Sequence, residues 1–187
     1  YQKSEMNGAV AVVTRAAQWA ADRGIIVIVS AGNEGNNSWR IITAPADAVD
    51  VLAVASVDAN GARAGSSSTG PAADLRIKPD VAAMGVATSV IERNGSVGKS
   101  SGTSLAAPLI TSLAAGVLQM NADLTNVGLL DVIRKSASQA GAPDQFLGYG
   151  IPHFRAVVNY ISAETQSEEF TVFPNPFSEG EFQLVIK

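Results

Sequence analysis

The chain has 187 residues, 47% of them hydrophobic and 16% charged, with a formal net charge of -4 and one histidine, His153. This length and composition predict one sizeable core, or one core with a short appendage, and exclude a disordered or fibrous chain. The negative charge argues against nucleic acid or an anionic membrane as the main partner. The sequence has no cysteine, which excludes disulfides, thiolate catalysis and Cys-ligated metal centres.

The first half of the chain predicts a βα-repeat architecture. Residues 6–20 carry apolar side chains at helical spacing, and Gly24 stands where such a helix would stop. Residues 25–29 form an uninterrupted β-branched run, which favours a strand covered on both faces in a parallel sheet. Two further apolar runs, residues 49–57 and 86–91, predict strands separated by loops rich in glycine, serine and alanine.

Three helices are predicted after these strands. Residues 104–120 are apolar almost all round, which predicts a central buried helix with Pro108 in its first turns, where proline is tolerated. Residues 126–136 predict an amphipathic helix, and a last short helix begins at Pro152. No uninterrupted apolar run reaches the roughly 18 residues of a membrane span, so no transmembrane segment is expected.

The chain changes in character near its end. Residues 162–169 are small, polar and acidic, which indicates a linker. Residues 170–187 predict two strands around a turn, and two isolated strands are not stable alone in water. We therefore expect a main α/β domain over residues 1–161, followed by the linker and the beginning of a small β domain. Because the chain opens on Tyr1 and shows no signal-peptide pattern, we expect a fragment or a processed product.

Residues 98–108 contain the first candidate site, around Ser104, and three interpretations compete for it. A phosphate-binding P-loop would need glycine in place of Arg93. A nucleophile elbow on Ser104 would need glycine in place of Ala106. What remains is a Gly-Thr-Ser loop that opens into a helix, with the Ser104 hydroxyl at the positive end of the helix dipole. On local features alone, Ser104 as a simple N-cap is an equally good interpretation.

The second candidate site is the segment S-A-G-N-E-G at residues 30–35. It follows the predicted strand 25–29, at the end where open α/β sheets bind their ligands. Asparagine at positions 33 and 36 excludes the glycine spacing of a dinucleotide-binding loop. One interpretation of Asn33 is a turn residue, since asparagine tolerates a left-handed backbone. The other is a side-chain amide that donates a hydrogen bond to an oxyanion.

Together, these two segments resemble the signatures of the subtilisin-like serine peptidases, peptidase family S8. The family's asparagine loop reads A-G-N-E-G or close to it, as residues 31–35 do, and its nucleophile motif G-T-S-x-A-x-P matches residues 102–108. Three intervening segments look like the family's S-S-x-G-P, R-I-K-P-D-V and A-P-G signatures, namely residues 67–71, 76–81 and 83–85. The resemblance covers about residues 5–160 and implies the C-terminal part of a three-layer α/β fold, with a mostly parallel sheet flanked by helices.

The resemblance also implies roles for individual residues. Ser104 would be the acylating nucleophile and Asn33 the oxyanion-hole donor, with the Ser104 backbone N–H as the second donor. The candidates for substrate binding are Ser30, Ala31, Gly32 and Thr103, the first three as one wall of the pocket for the residue before the scissile bond. Ala44–Pro45 would be a cis peptide near that pocket. No cofactor or metal is assigned: calcium is common in the family, but residues 46–50 form no recognisable ligand loop.

The chief difference between this chain and the family pattern is that no histidine of the catalytic triad stands before Asn33. Met84 in place of proline and Gly65 in place of a frequent phenylalanine look like packing differences. No histidine precedes Asn33, although the family's Asp and His both lie before that position. His153, near a segment similar to the family's terminal G-Y-G turn, is expected to be a surface or helix-start residue, and Asp22 a solvated helix residue. The expected partner is therefore the upstream half of the same domain, which would supply both triad members.

The end of the chain carries a second resemblance. Residues 172–177, V-F-P-N-P-F, resemble the opening of the C-terminal sorting domain of the type IX secretion system of Bacteroidetes, although a plain strand with a proline turn explains them too. The resemblance implies export, and a secreted or cell-surface location.

Two functions are compatible with these observations. The first is a serine endopeptidase that cleaves protein or peptide substrates through an acyl-enzyme on Ser104, and that is inactive without the upstream half. The alternative is a catalytically inactive relative that serves as a binding or structural module, which the absence of the triad Asp and His allows.

Overall fold

A computed structural model describes the backbone of residues 1–166 and the side chains of residues 1–163. This part contains a short 3-10 turn, Lys3–Glu5, and the helices α1 (Val12–Ala21), α2 (Thr103–Met120), α3 (Asn126–Lys135) and α4 (Phe154–Gln166). Its strands are β1 (Ile28–Ser30), β2 (Leu52–Val57), β3 (Val81–Met84), β4 (Thr88–Ile91) and β5 (Val97–Ser100). Helix α4 continues into the segment predicted as a linker, and the two strands predicted within residues 170–187 lie outside the described residues.

Strands β1, β2 and β3 form a parallel sheet in that order. All six residues of the central strand β2 are buried, because it is covered on both faces. On one face, Leu52 and Val54 pack with the apolar sides of α2 and α3. On the other face, Ala53 packs with Ile42 and Ala46 from the loop between β1 and β2. The fold is thus the predicted α/β arrangement of helices around a mostly parallel sheet.

A buried charged cluster joins this sheet to α3. The Asp80 carboxylate accepts hydrogen bonds from the Lys78 ammonium at 2.7 Å and from the Arg134 guanidinium at 2.9 Å, and the N–H of Ala53 in β2 donates to it at 2.7 Å. The Lys78 ammonium also donates to the carbonyl of Val51 at 2.7 Å. Burial lowers the pKa of Lys78 below its ordinary value, although the nearby Asp80 carboxylate acts in the opposite direction. Asp80 therefore balances two cations that the core would otherwise hold unpaired.

Helix α2 lies against all three parallel strands with one face only. Its buried residues are Thr103, Ala106, Ile110, Ala114 and Val117. Leu109 and Met120 on the outer face are exposed, so the prediction that this helix is buried all round is wrong for the described chain. Contrary to expectation, α2 has the length and apolar composition of a membrane span, and it is the one helix in residues 1–166 that does. It packs here as a core helix of the domain.

The first helix begins later than its apolar periodicity predicts. Gly8 has a φ of +81°, which ends any helix that would start at residue 6. The Asn7 side-chain oxygen accepts hydrogen bonds from the N–H groups of Ala9 and Val10, as in an Asx turn. The chain therefore turns before α1 starts at Val12.

Two predicted strands also differ from the structure. The predicted strand 25–29 is shifted to β1, which is only half-buried because β2 is its sole neighbour among the described residues. The third sheet strand is β3, and the predicted strand 86–91 becomes β4, which pairs antiparallel with β5 outside the main sheet. Residues of β4 alternate between half-buried and exposed, which is typical of a strand with one solvent face.

The last two helices follow the sequence prediction closely. The side chain of Thr125 caps α3 by accepting a hydrogen bond from the N–H of Gly128 at 3.1 Å. The inward residues of α3 are buried, as its periodicity predicts: Leu129, Leu130 and Ile133. Helix α4 begins at Phe154, two residues after the predicted start.

We predict that Asp80→Asn lowers the free energy of unfolding by about 3–5 kcal/mol, because it leaves the Lys78 and Arg134 cations without their buried anion. Equilibrium urea unfolding measures this loss. The matched control is Asp131→Asn, which removes an exposed carboxylate 2.7 Å from Lys135 and should cost no more than about 0.5 kcal/mol. Equal losses for the two variants would contradict the role given to Asp80.

Candidate active site

Ser104 is the second residue of α2 and its side chain is exposed. The N-cap position is Gly102, and no side chain makes a capping hydrogen bond there. The interpretation of Ser104 as a simple N-cap is therefore wrong. As a residue of the first helical turn, Ser104 has a backbone N–H without an acceptor inside the helix, and this N–H lies at the positive end of the helix dipole.

Asn33 follows β1 and is held against the start of α2 through its side chain. Its Oδ1 accepts hydrogen bonds from the Thr103 backbone N–H at 3.0 Å and from the Thr103 hydroxyl at 3.2 Å. Because the amide oxygen is occupied, the amide nitrogen is the end left free to donate outward. Asn33 has a negative φ, so the turn interpretation based on a left-handed backbone does not apply.

The asparagine amide lies over Gly102, next to the first turn of α2. A Cβ added to Gly102 would stand 3.6 Å from both Asn33 Oδ1 and Nδ2. The Gly102 N–H donates to the carbonyl of Gly85 at 2.8 Å, which ties this loop to the end of β3. The Asn33 amide thus lies beside the first turn of α2, which carries Ser104, at the end of the sheet where its parallel strands finish.

Four residues were predicted to bind substrate, and the structure gives them different positions. Ser30 is half-buried and lines an open cleft beside Ser104. The side chain of Ala31 is fully buried in the core, so only its backbone is near the surface. Gly32 has a φ of +108° and packs so closely on the side chains of Thr43 and Ser68 that it has no room for a Cβ.

Thr103 is the clearest correction among these four residues. Its side chain is fully buried and both of its hydrogen-bond donors point at Asn33. In this position Thr103 orients Asn33 and does not line a cleft. The sequence offered no signal for this role, because the two residues are 70 positions apart in the chain.

The cleft beside Ser104 has a volume of about 480 Å³. It runs along the open edge of β1 and the outer face of α2, and its lining residues are Ile28, Ser30, Ser104, Ala107, Pro108, Thr111 and Ser112. A second space of about 260 Å³ shares Ile28 and Thr111 with it and extends to Leu118. The nucleophile candidate therefore opens directly onto an uncovered surface that carries both apolar and hydroxyl side chains.

Another cleft, of about 370 Å³, lies behind the wall formed by Ala31 and Gly32. Thr43 links the two, since its N–H donates to the Ala31 carbonyl at 3.1 Å. The lining residues are Tyr1, Met6, Val13, Glu34, Trp39, Thr43 and Ala44. The Ala44–Pro45 peptide at its rim is cis, as predicted. Sequence reasoning missed Trp39, although an aromatic residue inside a loop of small polar residues was a usable signal.

The single histidine of the chain lies away from this site. His153 is exposed, directly precedes α4, and its Nδ1 accepts a hydrogen bond from the Arg155 N–H at 3.3 Å. This is the predicted helix-start role. Asp22 is exposed at the end of α1 and accepts a hydrogen bond from Gln18 at 2.8 Å, as expected for a helix residue.

The acidic residues of the loop that follows the cis peptide are Asp47 and Asp50, and both form hydrogen bonds with other parts of the domain. The buried Asp47 carboxylate accepts hydrogen bonds from the N–H of Gly8 at 2.9 Å and from the hydroxyl of Thr14 at 2.5 Å. Asp50 accepts one from Gln18 at 2.7 Å. Within the described range, no group of three or more histidine, aspartate or glutamate side chains is arranged to hold a metal. Both carboxylates of this loop are therefore engaged in hydrogen bonds within the domain.

The backbone of Gly102 generates a further prediction. Its φ of +154° and ψ of +158° belong to a region that essentially only glycine adopts. Gly102→Ala should therefore lower the free energy of unfolding by about 1–3 kcal/mol. Gly141→Ala is the matched control, since no atom lies within 4 Å of the added Cβ. Urea unfolding that gives the same stability for both variants would show that this strain is absent.

Comparison with known proteins identifies the family. The model of peptidase S8, the subtilase family, matches residues 2–150. The thermostable alkaline protease of Halalkalibacterium halodurans is 32% identical over 134 residues, which cover 72% of this chain and 34% of that protein. Subtilisin BL of Lederbergia lenta is 29% identical over 146 residues, which cover 78% of this chain and 51% of that protein. The chain thus spans about a third to a half of the length of these relatives.

Solved structures agree on the fold. The self-cleaved protease domain of PatA superimposes with a TM-score of 0.70 at 19% identity, covering 84% of this chain and 58% of that one. The prenylagaramide maturation protease PagA gives a TM-score of 0.69 at 23% identity, and the match covers 82% of this chain and 57% of that one. At such identities the likeness speaks for the fold alone, whereas the family match extends over most of the sequence. The chain therefore belongs to the subtilase family, peptidase S8.

Proposed function

We propose that this chain forms the C-terminal part of a serine endopeptidase domain, with Ser104 as nucleophile and Asn33 as oxyanion donor. The observation that carries the proposal is the pair of hydrogen bonds from Thr103 to Asn33 Oδ1. They occupy the amide oxygen and leave the amide nitrogen free to donate, beside the first turn of α2 that carries Ser104 and its backbone N–H. Family membership and protease relatives support a peptidase function.

The proposed chemistry follows from this geometry. Ser104 Oγ attacks the carbonyl carbon of a peptide bond while a base takes its proton, and the carbonyl oxygen becomes an oxyanion. Asn33 Nδ2 and the Ser104 N–H donate to that oxyanion, and the dipole of α2 favours its charge. The leaving amine takes the proton back from the base, which leaves an ester on Ser104. Water then hydrolyses the ester by the same steps.

The general base is proposed to come from polypeptide outside residues 1–187. The only histidine of the chain is His153, and its position at the start of α4 gives it no role at Ser104. The surface beside Ser104 supports this proposal, because the free edge of β1 and the outer face of α2 expose apolar residues there. On α1, Val12 and Trp19 are exposed as well. We propose that the upstream half of the domain, carrying the triad Asp and His, packs on these surfaces.

Export through the type IX pathway is proposed for the end of the chain. The support is the V-F-P-N-P-F segment at residues 172–177, which lies outside the described residues. Under this proposal the peptidase acts outside the cell or at its surface.

The test of the proposed function uses the full-length protein and a fluorophosphonate that labels activated serines. Ser104→Ala should abolish labelling and peptide hydrolysis, because it removes the nucleophile. Asn33→Ala should keep the protein folded but lower kcat on the order of 10²–10³, the effect that loss of this donor has in a subtilisin. Asp131→Asn, at an exposed position of α3 away from the cleft, is the control for folding. Persistent labelling of Ser104→Ala would refute the proposal.

Residues 1–187 alone provide a second test in the same assay. They should show no Ser104-dependent hydrolysis, since they contain no base beside the nucleophile. Hydrolysis by this piece would contradict the proposed origin of the base. A full-length protein that binds peptides without hydrolysing them or reacting with the fluorophosphonate would favour an inactive binding module.

The export proposal is tested separately. An intact version of the C-terminal tail, fused to a reporter protein in a host with a type IX system, should carry the reporter outside the cell. The control is the same fusion with the prolines and asparagine of residues 174–176 changed to alanine. Retention of the intact fusion inside the cell would contradict the proposal.

A further inference from the structure

Ser68 holds the backbone on both sides of Asn33. Its N–H donates a hydrogen bond to the carbonyl of Gly32, the residue before Asn33, at 2.9 Å. Its hydroxyl accepts a hydrogen bond from the N–H of Glu34, the residue after Asn33, at 3.0 Å. One side chain and its own backbone therefore bracket the residue proposed as oxyanion donor.

The two stretches of backbone that this bracket joins lie in direct contact. The Gly35 N–H donates to the carbonyl of Ser66 at 2.9 Å. A Cβ on Gly35 would collide with the carbonyl oxygens of Gly65 and Ser67, so a side chain has no room at this position. The two stretches pack main chain against main chain, and a displacement of one therefore requires a displacement of the other.

The segment that carries Ser68 is itself anchored to the central strand β2. The Ala64 N–H donates to the carbonyl of Ser56 at 2.8 Å, and the Arg63 guanidinium donates to the carbonyl of Ser67 at 2.6 Å. Ser56 belongs to β2, in which every residue is buried. The bracket around Asn33 is thus built on a strand that the core holds in place.

The main chain of Asn33 depends on this bracket. Among residues 1–166, the Asn33 backbone forms no hydrogen bond of its own, whereas both of its neighbours are bonded to Ser68. Ser68 is fully buried, so water does not compete for these two bonds. For the same reason, polypeptide that packs on the surface beside Ser104 cannot contact the Ser68 side chain.

We propose that Ser68 is a positioning residue of the oxyanion hole, which holds the backbone of Asn33 so that its amide nitrogen stays where the oxyanion forms. This inference rests on the proposed peptidase function. Thr103 fixes the rotation of the amide, and Ser68 fixes the main chain that carries it. Ser68 contacts neither the substrate nor the reacting atoms, so its effect on the reaction passes through Asn33.

The test compares Ser68→Ala with Ser67→Ala in the full-length protein. Both serines are fully buried, and each hydroxyl accepts one backbone N–H, from Glu34 at 3.0 Å for Ser68 and from Ser56 at 3.1 Å for Ser67. The two variants lose the same kind of bond, but only Ser68→Ala loses it beside Asn33. Ser68→Ala should lower kcat by about three- to thirtyfold, and Ser67→Ala by less than about twofold.

Two further readouts assign this loss to the transition state. KM should change little in Ser68→Ala, because an oxyanion donor acts only once the carbonyl oxygen is charged. A peptide boronic acid, which mimics the tetrahedral intermediate, should bind more weakly by about the same factor as kcat falls. Each kcat is referred to the protein that the fluorophosphonate labels at completion, so unfolded protein does not count.

A double-mutant cycle with Asn33→Ala separates positioning from a general structural role. In the Asn33→Ala background, Ser68→Ala should change kcat by less than about twofold, because the donor that Ser68 positions is already absent. Ser68→Cys keeps a side chain of similar shape but offers a poor acceptor to the Glu34 N–H. It should show the same dependence on Asn33 with a smaller loss of kcat.

The outcomes separate this inference from the proposed function. If the wild type hydrolyses peptides but Ser68→Ala and Ser67→Ala have the same kcat, the inference is wrong and the peptidase function stands. If Ser68→Ala lowers kcat equally with and without the Asn33 amide, Ser68 has a general structural role and the inference is again wrong. If no peptide is hydrolysed and Ser104 is not labelled, the proposed function fails, and this inference fails with it.

Discussion

The orientation of one side-chain amide is the constraint on which the site depends. Asn33 and Thr103 are 70 positions apart, yet both hydrogen-bond donors of Thr103 meet the oxygen of the Asn33 amide. An asparagine amide rotated by half a turn would present an acceptor where the proposed oxyanion hole needs a donor. Thr103 prevents this rotation, and because it is the residue before Ser104, it also fixes the distance between the amide and the first turn of α2.

The elements behind that local arrangement support it by their packing. Strand β2 is buried on both faces, and α2 crosses the whole parallel sheet with its inner face. Asp80 ties the sheet to α3 with charged hydrogen bonds to Lys78, which is buried, and to Arg134, which is only partly exposed. A polar group in such a core is costly unless it is fully paired, so Asp80 and its two cations define one arrangement of strands and helix. Preorganised donors of an oxyanion hole need this kind of support.

The sequence predicted those parts of the fold whose signal is local. The buried run of β2 and the periodicity of α3 were sufficient for these elements, and the combination of the A-G-N-E-G and G-T-S motifs correctly indicated the family. The errors arose where a long-range contact decides the outcome. The apolar residues of α2 look buried all round, but in the described chain nothing covers Leu109 or Met120. Residues 86–91 are apolar enough for the sheet, yet pairing with β5 takes them out of it.

Thr103 illustrates the same limit within the site. Its position beside the nucleophile motif suggested contact with substrate, whereas its actual partner is Asn33. Only the folded chain shows that its hydroxyl and N–H point inward. Trp39 is the converse case, a residue with no motif of its own that the fold brings to a cleft near the wall of the site.

The central claim is that Asn33 and Ser104 act on the same oxygen atom. A crystal structure of the full-length protein with a peptide boronic acid tests this directly, because the boronate mimics the tetrahedral intermediate. The account predicts boron bonded to Ser104 Oγ, with one boronate oxygen at about 2.7–3.1 Å from both Asn33 Nδ2 and the Ser104 nitrogen. Boron on another residue, or an Asn33 amide turned away from the boronate oxygen, would contradict it.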